Sequence, residues 1–241
     1  MSKNFEIRRE VVLNATPEDV FAAVTTGTGG WMFPTGFDPG VGDEGPDDPA
    51  VVAWEPPQKF AVRQDGPDGW FNALEYLIEA RDGGTAGTAA LRYVHSGIFT
   101  DDWDAQYDGA DKHTTFYLHS LGQYVQHFPG RAATYIAAGG PEGSADPGAM
   151  ATLRTALGLS DTSGTGDTVS VDVPGFGTVD GVVDYLTPNF IGIRTADALF
   201  RFYGRNAFGG TVDAAHHLFA TGADQEKSQD AWKSWLDNVF A

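Results

Sequence analysis

Residues 5–24 read FEIRREVVLNATPEDVFAAV, and this stretch decides the fold of the first half of the chain. Phe5, Ile7, Val11 and Leu13 alternate with polar partners, the two-residue period of a strand that buries one face. Arg9 interrupts that inner face, so the strand lies near a sheet edge or its arginine lines a cavity. Thr16-Pro17-Glu18-Asp19 then reads as a helix start: Thr16 can cap, Pro17 suits the first helical position and Asp19 completes a box-like pattern. Val20, Phe21 and Val24 give this short helix one apolar face before the glycine-rich run Gly27–Gly30 ends it.

Working outward, Trp31 and Phe33 lead into a loop rich in Gly, Pro and Asp from Gly36 to Pro49. Strands are expected at Val51–Trp54 and Phe60–Val62, parted by Glu55-Pro56-Pro57, where paired prolines forbid ladder bonding and force a turn. Leu74–Ala80 and Ala89–His95 form the next hairpin around Asp82-Gly83-Gly84, with Leu74, Tyr76 and Ile78 on one face and Leu91, Tyr93 and His95 likewise. After an acidic connector at Asp101–Asp111, Phe116, Leu118, Leu121, Val125 and Phe128 recur at helical spacing, predicting a helix over Lys112–Phe128.

The same order of elements then returns. Pro129-Gly130 marks a boundary, Ala132–Ala137 a strand, and Asp146-Pro147 the cap of a helix carrying Met150, Leu153 and Leu157. Strands follow at 168–173, 178–186, 189–195, 198–204 and 211–219. Asp224 opens a last helix with Ala231, Trp232, Trp235, Leu236, Val239 and Phe240 as its apolar stripe. A unit that starts on an edge strand and ends on a helix laid across its sheet encloses apolar space between the two. That enclosed space is the best guide to function.

Composition narrows the classes. A length of 241 residues suits two domains, and 41% hydrophobic content supports real cores. The net charge of −18 repels phosphate backbones and anionic membranes, so neither nucleic-acid binding nor membrane insertion is expected. No apolar window approaches a membrane helix, the N-terminus lacks a signal-peptide core, and a cytoplasmic protein is expected. Only five of fifteen basic residues are lysine, amid much Ala, Gly and Asp, a bias typical of a GC-rich bacterium. With no cysteine, thiolate metal sites and thiol nucleophiles are excluded.

Motifs for catalysis are missing. There is no His-Glu-x-x-His, P-loop, Gly-x-Ser-x-Gly or Gly-x-Gly-x-x-Gly pattern. Asp102 and Asp104 begin an alternation like that of a calcium loop, but Gln106 and Tyr107 break it. An acidic helix start accounts for the cluster without metal. The acidic loop Asp38–Asp48 reads the same way. His216-His217 are adjacent on a strand and face opposite ways, so one of them is placed either to enter the second cavity or to sit as a satisfied buried histidine. No cofactor and no metal are expected.

The first half resembles the START-like, helix-grip (Bet v 1-like, SRPBCC) superfamily, and within it bacterial proteins similar to the C-terminal domain of the Hsp90 ATPase activator. Arg8–Leu13 with Ala15-Thr16-Pro17-Glu18-Asp19-Val20-Phe21, the turn Trp54-Glu55-Pro56-Pro57-Gln58-Lys59-Phe60, and the run from Gly97 to Phe128 carry the resemblance. The second half resembles that fold only in element order and its tryptophan-bearing last helix. The resemblance implies an α+β chain of two tandem helix-grip domains, 1–129 and 130–241, each a curved antiparallel sheet wrapped around a long C-terminal helix. It also implies a cavity for a hydrophobic or amphipathic small molecule. Non-enzymatic binding is the expected function, with Trp31, Phe33, Trp54, Phe60, Tyr76, Tyr93, His95, Phe116 and Leu121 as ligand-binding candidates, and Tyr93 and His95 as polar anchors among apolar walls. Two alternatives stand beside it: a chaperone-linked or stress-response interaction protein, and a cavity enzyme (cyclase or hydrolase) using His95 or Glu75, although Glu75 falls on the face opposite Tyr76.

Overall fold

The alternation of residues 5–13 builds β1 (Lys3–Leu13), and β1 lies at a sheet edge, which is how an arginine comes to occupy its inner face. The computed structural model of the chain describes residues 2–35, 45–81 and 87–241. The turn expected at Asp82-Gly83-Gly84 and the loop from Asp38 through Glu44 lie outside the described residues. The chain divides into two compact units, Met1–Arg131 and Ala132–Ala241.

In the first unit β1 is followed by α1 (Pro17–Val24), β2 (Val51–Glu55), β3 (Lys59–Asp65), β4 (Phe71–Ala80), β5 (Ala89–Phe99) and α2 (Trp103–His127). All pairings are antiparallel, in the order β1-β5-β4-β3-β2. Thr16 caps α1 as its sequence predicts: its Oγ1 accepts from Asp19 N at 3.1 Å, and the Asp19 carboxylate accepts from Thr16 N in return. α2 lies mainly over β1 and β5, whereas α1 covers β3 and β4.

α2 begins at Trp103, so the acidic connector is helical and the expectation of a helix starting at Lys112 is corrected. The acids there are matched locally. Asp108 pairs with Lys112 one turn on, Asp111 pairs with Arg9 of β1, and Asp104 sits in the first turn, where the dipole favours it. Stacking of Trp103 on Tyr107, with ring centroids 4.8 Å apart, supplies the apolar contact that this stretch otherwise lacks.

The second unit runs β6 (Thr134–Gly139), α3 (Ala149–Ala156), β7 (Thr168–Val173), β8 (Gly177–Leu186), β9 (Phe190–Arg194), β10 (Ala198–Gly204), β11 (Val212–Leu218) and α4 (Gln225–Val239). Its order, β6-β11-β10-β9-β8-β7, repeats the first sheet with one strand added. In both sheets the first strand joins the last and the others follow as a meander. α4 touches both β6 and β7, the two edges of its sheet, so that sheet curls around its helix. Asp224 caps α4 by accepting from Lys227 N at 3.1 Å. The cap of α3 falls two residues beyond the expected Asp146, and the helix starts at Ala149. Gly148 stands at its N-cap, and the Asp146 carbonyl is taken by Ala149 N and the Asn206 amide.

The second core gathers Ile191, Ile193, Phe200, Phe202 and Leu236 around Trp232, all essentially buried. His216 enters it from β11, with ring centroids 4.3 Å from Trp232 and 4.9 Å from Phe200. Its Nδ1 accepts from Arg201 N at 3.1 Å, and burial holds its pKa well below the ordinary histidine value. On the sheet face turned away from α4, Arg201 is 0% exposed and grips Asp184 through two bonds of 3.0 and 2.8 Å. That pair spans β9 at Gly192, the register partner of Arg201, and Asp184 occupies the irregularity between Val183 and Tyr185. A Cβ at position 192 would run into Asp184 Oδ1 and sit 2.8 Å from Arg201 Nη1, so glycine is what lets the pair close.

Candidate functional site

The register of the first sheet lines up one residue per strand across its helix-facing side: Trp54 opposite Phe60, Phe60 opposite Tyr76, Tyr76 opposite Tyr93, and Tyr93 opposite Arg9. Neighbouring ring centroids lie 5.8, 5.9 and 5.2 Å apart, in T-shaped, stacked and tilted contacts respectively, so four aromatic rings form one row across four strands. The row ends at the ion pair of Arg9 with Asp111 from α2. Thr114 of α2 shares a hydrogen bond with the Tyr93 phenol, and burial raises the pKa of both Tyr93 and Tyr76. Both phenols are therefore neutral hydrogen-bonding groups at every physiological pH.

One register step along the same face lies the row Val62, Leu74, His95 and Ile7. Phe60, Tyr76 and Tyr93 are buried, whereas Val62, Leu74 and His95 are only half-buried, and Gln64, a step further, is exposed. The inner face thus opens from a tight aromatic wall toward the end of the sheet where β4 begins. At that opening His95 Nε2 donates to Asn72 Oδ1 at 2.8 Å, and Phe5 packs edge-on against the imidazole at 4.9 Å. Desolvation lowers the His95 pKa to about 4, so the ring is neutral at pH 7. A neutral imidazole hydrogen-bonded through Nε2 leaves Nδ1 as an acceptor.

The candidate residues fall into groups. Trp54, Phe60, Tyr76, Tyr93 and His95 share the inner face of the sheet. Phe116 and Leu121 belong to α2 and are 0% exposed. Trp31 is equally deep, but its indole donates to the Ala23 carbonyl at 2.9 Å and locks the end of α1. Phe33 is 49% exposed, 6.4 Å from the Tyr117 ring of α2. Asn72, Thr114 and Tyr117 did not stand out in the sequence. Asn72 could have been found from the hairpin register, because pairing Leu74 with His95 puts residue 72 diagonally beside the histidine. Glu75 faces the other way and pairs with Lys59 at 3.2 Å.

The second unit contains a cavity of about 550 Å³ beside the amino end of α4. Its floor is buried and apolar, from Val179, Phe200 and Leu218, and its rim is built by the turns after β7, β9 and β11. Among the described residues no group of three or more His, Asp or Glu side chains could hold a metal ion, and no helix is long and apolar enough to cross a membrane.

Strand order, curvature and the covering helices define a tandem helix-grip, START-like architecture. No protein-family model matches the chain, and no curated protein matches it. Three solved structures illustrate what it is similar to in shape. DynU16, from the dynemicin biosynthetic locus, aligns over 98% of this chain and 95% of its own at 13% identity and a TM-score of 0.38. The di-domain ARO/CYC StfQ of the steffimycin biosynthetic pathway aligns over 94% and 91% at 11% identity and 0.31. Protein MLL2253 of Mesorhizobium loti aligns over 52% of this chain and 98% of its own at 21% identity and 0.40. At such scores these likenesses carry no weight for function, which is judged from the chain's own geometry.

Proposed function

We propose that the first unit, taken as a domain over 1–129, binds a hydrophobic or amphipathic small molecule without transforming it. The observation that carries this is the graded inner face: a closed aromatic row, then a half-buried strip of Val62, Leu74 and His95, then open solvent. In this reading Trp54, Phe60, Tyr76 and Tyr93 form the wall, and Phe33 stands at the rim. His95 Nδ1 accepts one hydrogen bond from the guest. Phe116, Leu121 and Trp31 hold α2 and α1 in place behind the wall. A guest burying about 300 Å² of apolar surface would gain roughly 7 kcal/mol from burial, which corresponds to micromolar affinity before ordering costs.

The test is a titration of the full chain with 9-anthracenemethanol, a neutral aromatic with one hydroxyl, read by NMR at the Leu74 methyls and the His95 ring. Saturable shifts there, abolished by Leu74→Trp and weakened about fivefold to tenfold by His95→Phe, are expected for one lost hydrogen bond. Absence of saturable shifts at either residue, or binding indifferent to both substitutions, would remove the proposal.

A further inference from the structure

We propose that the outer edge of β7 is a self-association surface, and that its partner is β7 of a second copy of this chain, paired antiparallel about Ser170. This inference does not depend on the reading of the first unit. Each sheet has two end strands, and among the described residues β1, β6 and β2 are poorly suited to further pairing. On β1, Trp103 and Tyr107 of α2, one turn apart, donate to the outward carbonyls of Asn4 and Glu6 at 3.1 and 3.5 Å. On β6, Gln225 and Gln229 of α4 act alike at the same spacing. The Gln225 amide donates to the Tyr135 carbonyl at 2.9 Å, and Gln229 Oε1 accepts from Ala137 N at 3.4 Å. β2 is short and carries a register shift between Val51 and Ala53, an irregularity that interrupts an edge ladder.

β7 differs. It pairs with β8 from Thr168 to Val173 without a shift. Val183 N donates to the Asp167 carbonyl, and that phase turns the main-chain groups of Val169, Val171 and Val173 toward β8 and those of Thr168, Ser170 and Asp172 outward. Among the described residues no hydrogen bond reaches these outward N–H and C=O groups, and all three residues are exposed. Thr168–Asp172 reads TVSVD, nearly a palindrome about Ser170. A two-fold axis at Ser170 therefore sets Ser170 against Ser170, Thr168 against Asp172 and Val169 against Val171 of the second copy. Every outward group then meets an outward group, which gives about six main-chain hydrogen bonds. Each Thr168 hydroxyl faces a carboxylate, and valine faces valine, a favoured cross-strand pair. The net charge of −18 opposes association. Along this seam, however, the two Asp172 carboxylates lie about 14 Å apart, beyond a Debye length, so physiological salt screens them.

Sedimentation velocity of the full chain, from about 1 to about 300 μM, should show a monomer–dimer equilibrium that tightens when NaCl is raised to about 0.5 M. Over the same range, hydrogen exchange at the Thr168, Ser170 and Asp172 amides should slow about fivefold, with exposed amides elsewhere unchanged. Ser170→Pro removes an outward donor and leaves the ladder to β8 intact, since an edge strand tolerates proline where its N–H faces out. It should weaken the dimer about tenfold, as should Ser170→Glu, which opposes two carboxylates across the axis. A native spectrum in dilute solution verifies the fold, and Ser170→Glu decides the matter if the proline variant does not fold. The chain has no cysteine, so Ser170→Cys introduces a single thiol. Opposed residues in this seam have Cα atoms about 5.5 Å apart, within disulfide reach. With oxidised glutathione, Ser170→Cys should form a covalent dimer about tenfold faster than Asp180→Cys, its register partner on β8. The proposal is overturned if the chain stays monomeric at the highest concentration or if dimers form without slowing these amides. It is overturned equally if the folded Ser170 variants dimerise like the parent, or if both thiols cross-link at the same rate. Failure here leaves the Leu74 and His95 shifts of the first unit unaffected, so the two readings fall separately.

Discussion

The neutral state of His95 is the feature of the first site with the clearest measurable consequence. Burial against Phe5 and Tyr93 lowers its pKa from the ordinary 6.5 to about 4, while its partner Asn72 carries no charge to oppose the shift. In the unfolded chain the imidazole titrates near 6.5. Between about pH 6.5 and 4 the unfolded state therefore binds a proton that the folded state refuses, and stability falls on acidification through that window. The full loss is roughly 3 kcal/mol, reached below pH 4, and about 2 kcal/mol is already gone at pH 5. His95→Gln keeps a hydrogen-bonding side chain and removes the titration. The variant should thus gain about 2 kcal/mol relative to the parent between pH 7.5 and 5, whatever its offset at neutral pH. Native-state hydrogen exchange of β4 and β5 amides measures this difference, since all other titrating groups cancel between the two proteins. A direct NMR titration of the His95 ring gives the pKa itself. A ring that titrates at 6 or above, or a variant whose stability tracks the parent across the window, refutes the account of the site as a desolvated opening.

Three further outcomes follow from the packing. Arg201→Met takes the guanidinium away from the buried Asp184 carboxylate and should cost about 3–5 kcal/mol, whereas Asp184→Leu/Arg201→Met should recover most of it; hydrogen exchange in β9 and β10 reads both. Gly97→Ala would put a Cβ 2.7 Å from the Phe71 carbonyl and 2.8 Å from the Phe5 ring, which predicts a loss of about 1–3 kcal/mol and a lower melting temperature. Thr16→Ala removes the acceptor at the start of α1 and should cost about 1 kcal/mol, with faster exchange at Asp19 N and little effect from Thr16→Ser.

Much of this architecture was legible in the sequence because period and capping chemistry act locally. The alternation of Phe5 to Leu13, the Thr16 box, the proline turn before Phe60 and the stripe from Ala231 to Phe240 each specify one element without reference to the rest. The same alternation put Tyr76, Tyr93 and His95 on inner faces. Two things were not legible. The acidic run at Asp101–Asp111 lacks an apolar stripe, so its helicity depends on partners supplied from β1, above all Arg9. The cavity of the second unit is bounded by turns near Gly175, Asp197 and Gly222, whose convergence is set only by the register of six strands. Its volume is what packing leaves over, and no local pattern encodes a remainder.

The two sheets follow one strand order, yet they handle charge in opposite ways, and that difference bears on what each could hold. In the first, Arg9 and Asp111 sit at the end of the inner aromatic row, and His95 with Asn72 adds neutral polarity beside it. In the second, the ionised pair has moved to the face away from α4, where Gly192 makes room for it. The inner face there keeps only His216, whose Nδ1 is engaged by the Arg201 amide and whose ring is walled in by Phe200, Phe202 and Trp232. Strand register fixes which positions look inward but leaves the residue at each position open. A repeated topology therefore transmits the shape of a grip without its chemistry: the first inner face carries an ion pair and the neutral His95–Asn72 pair, whereas the second keeps a single, fully engaged imidazole.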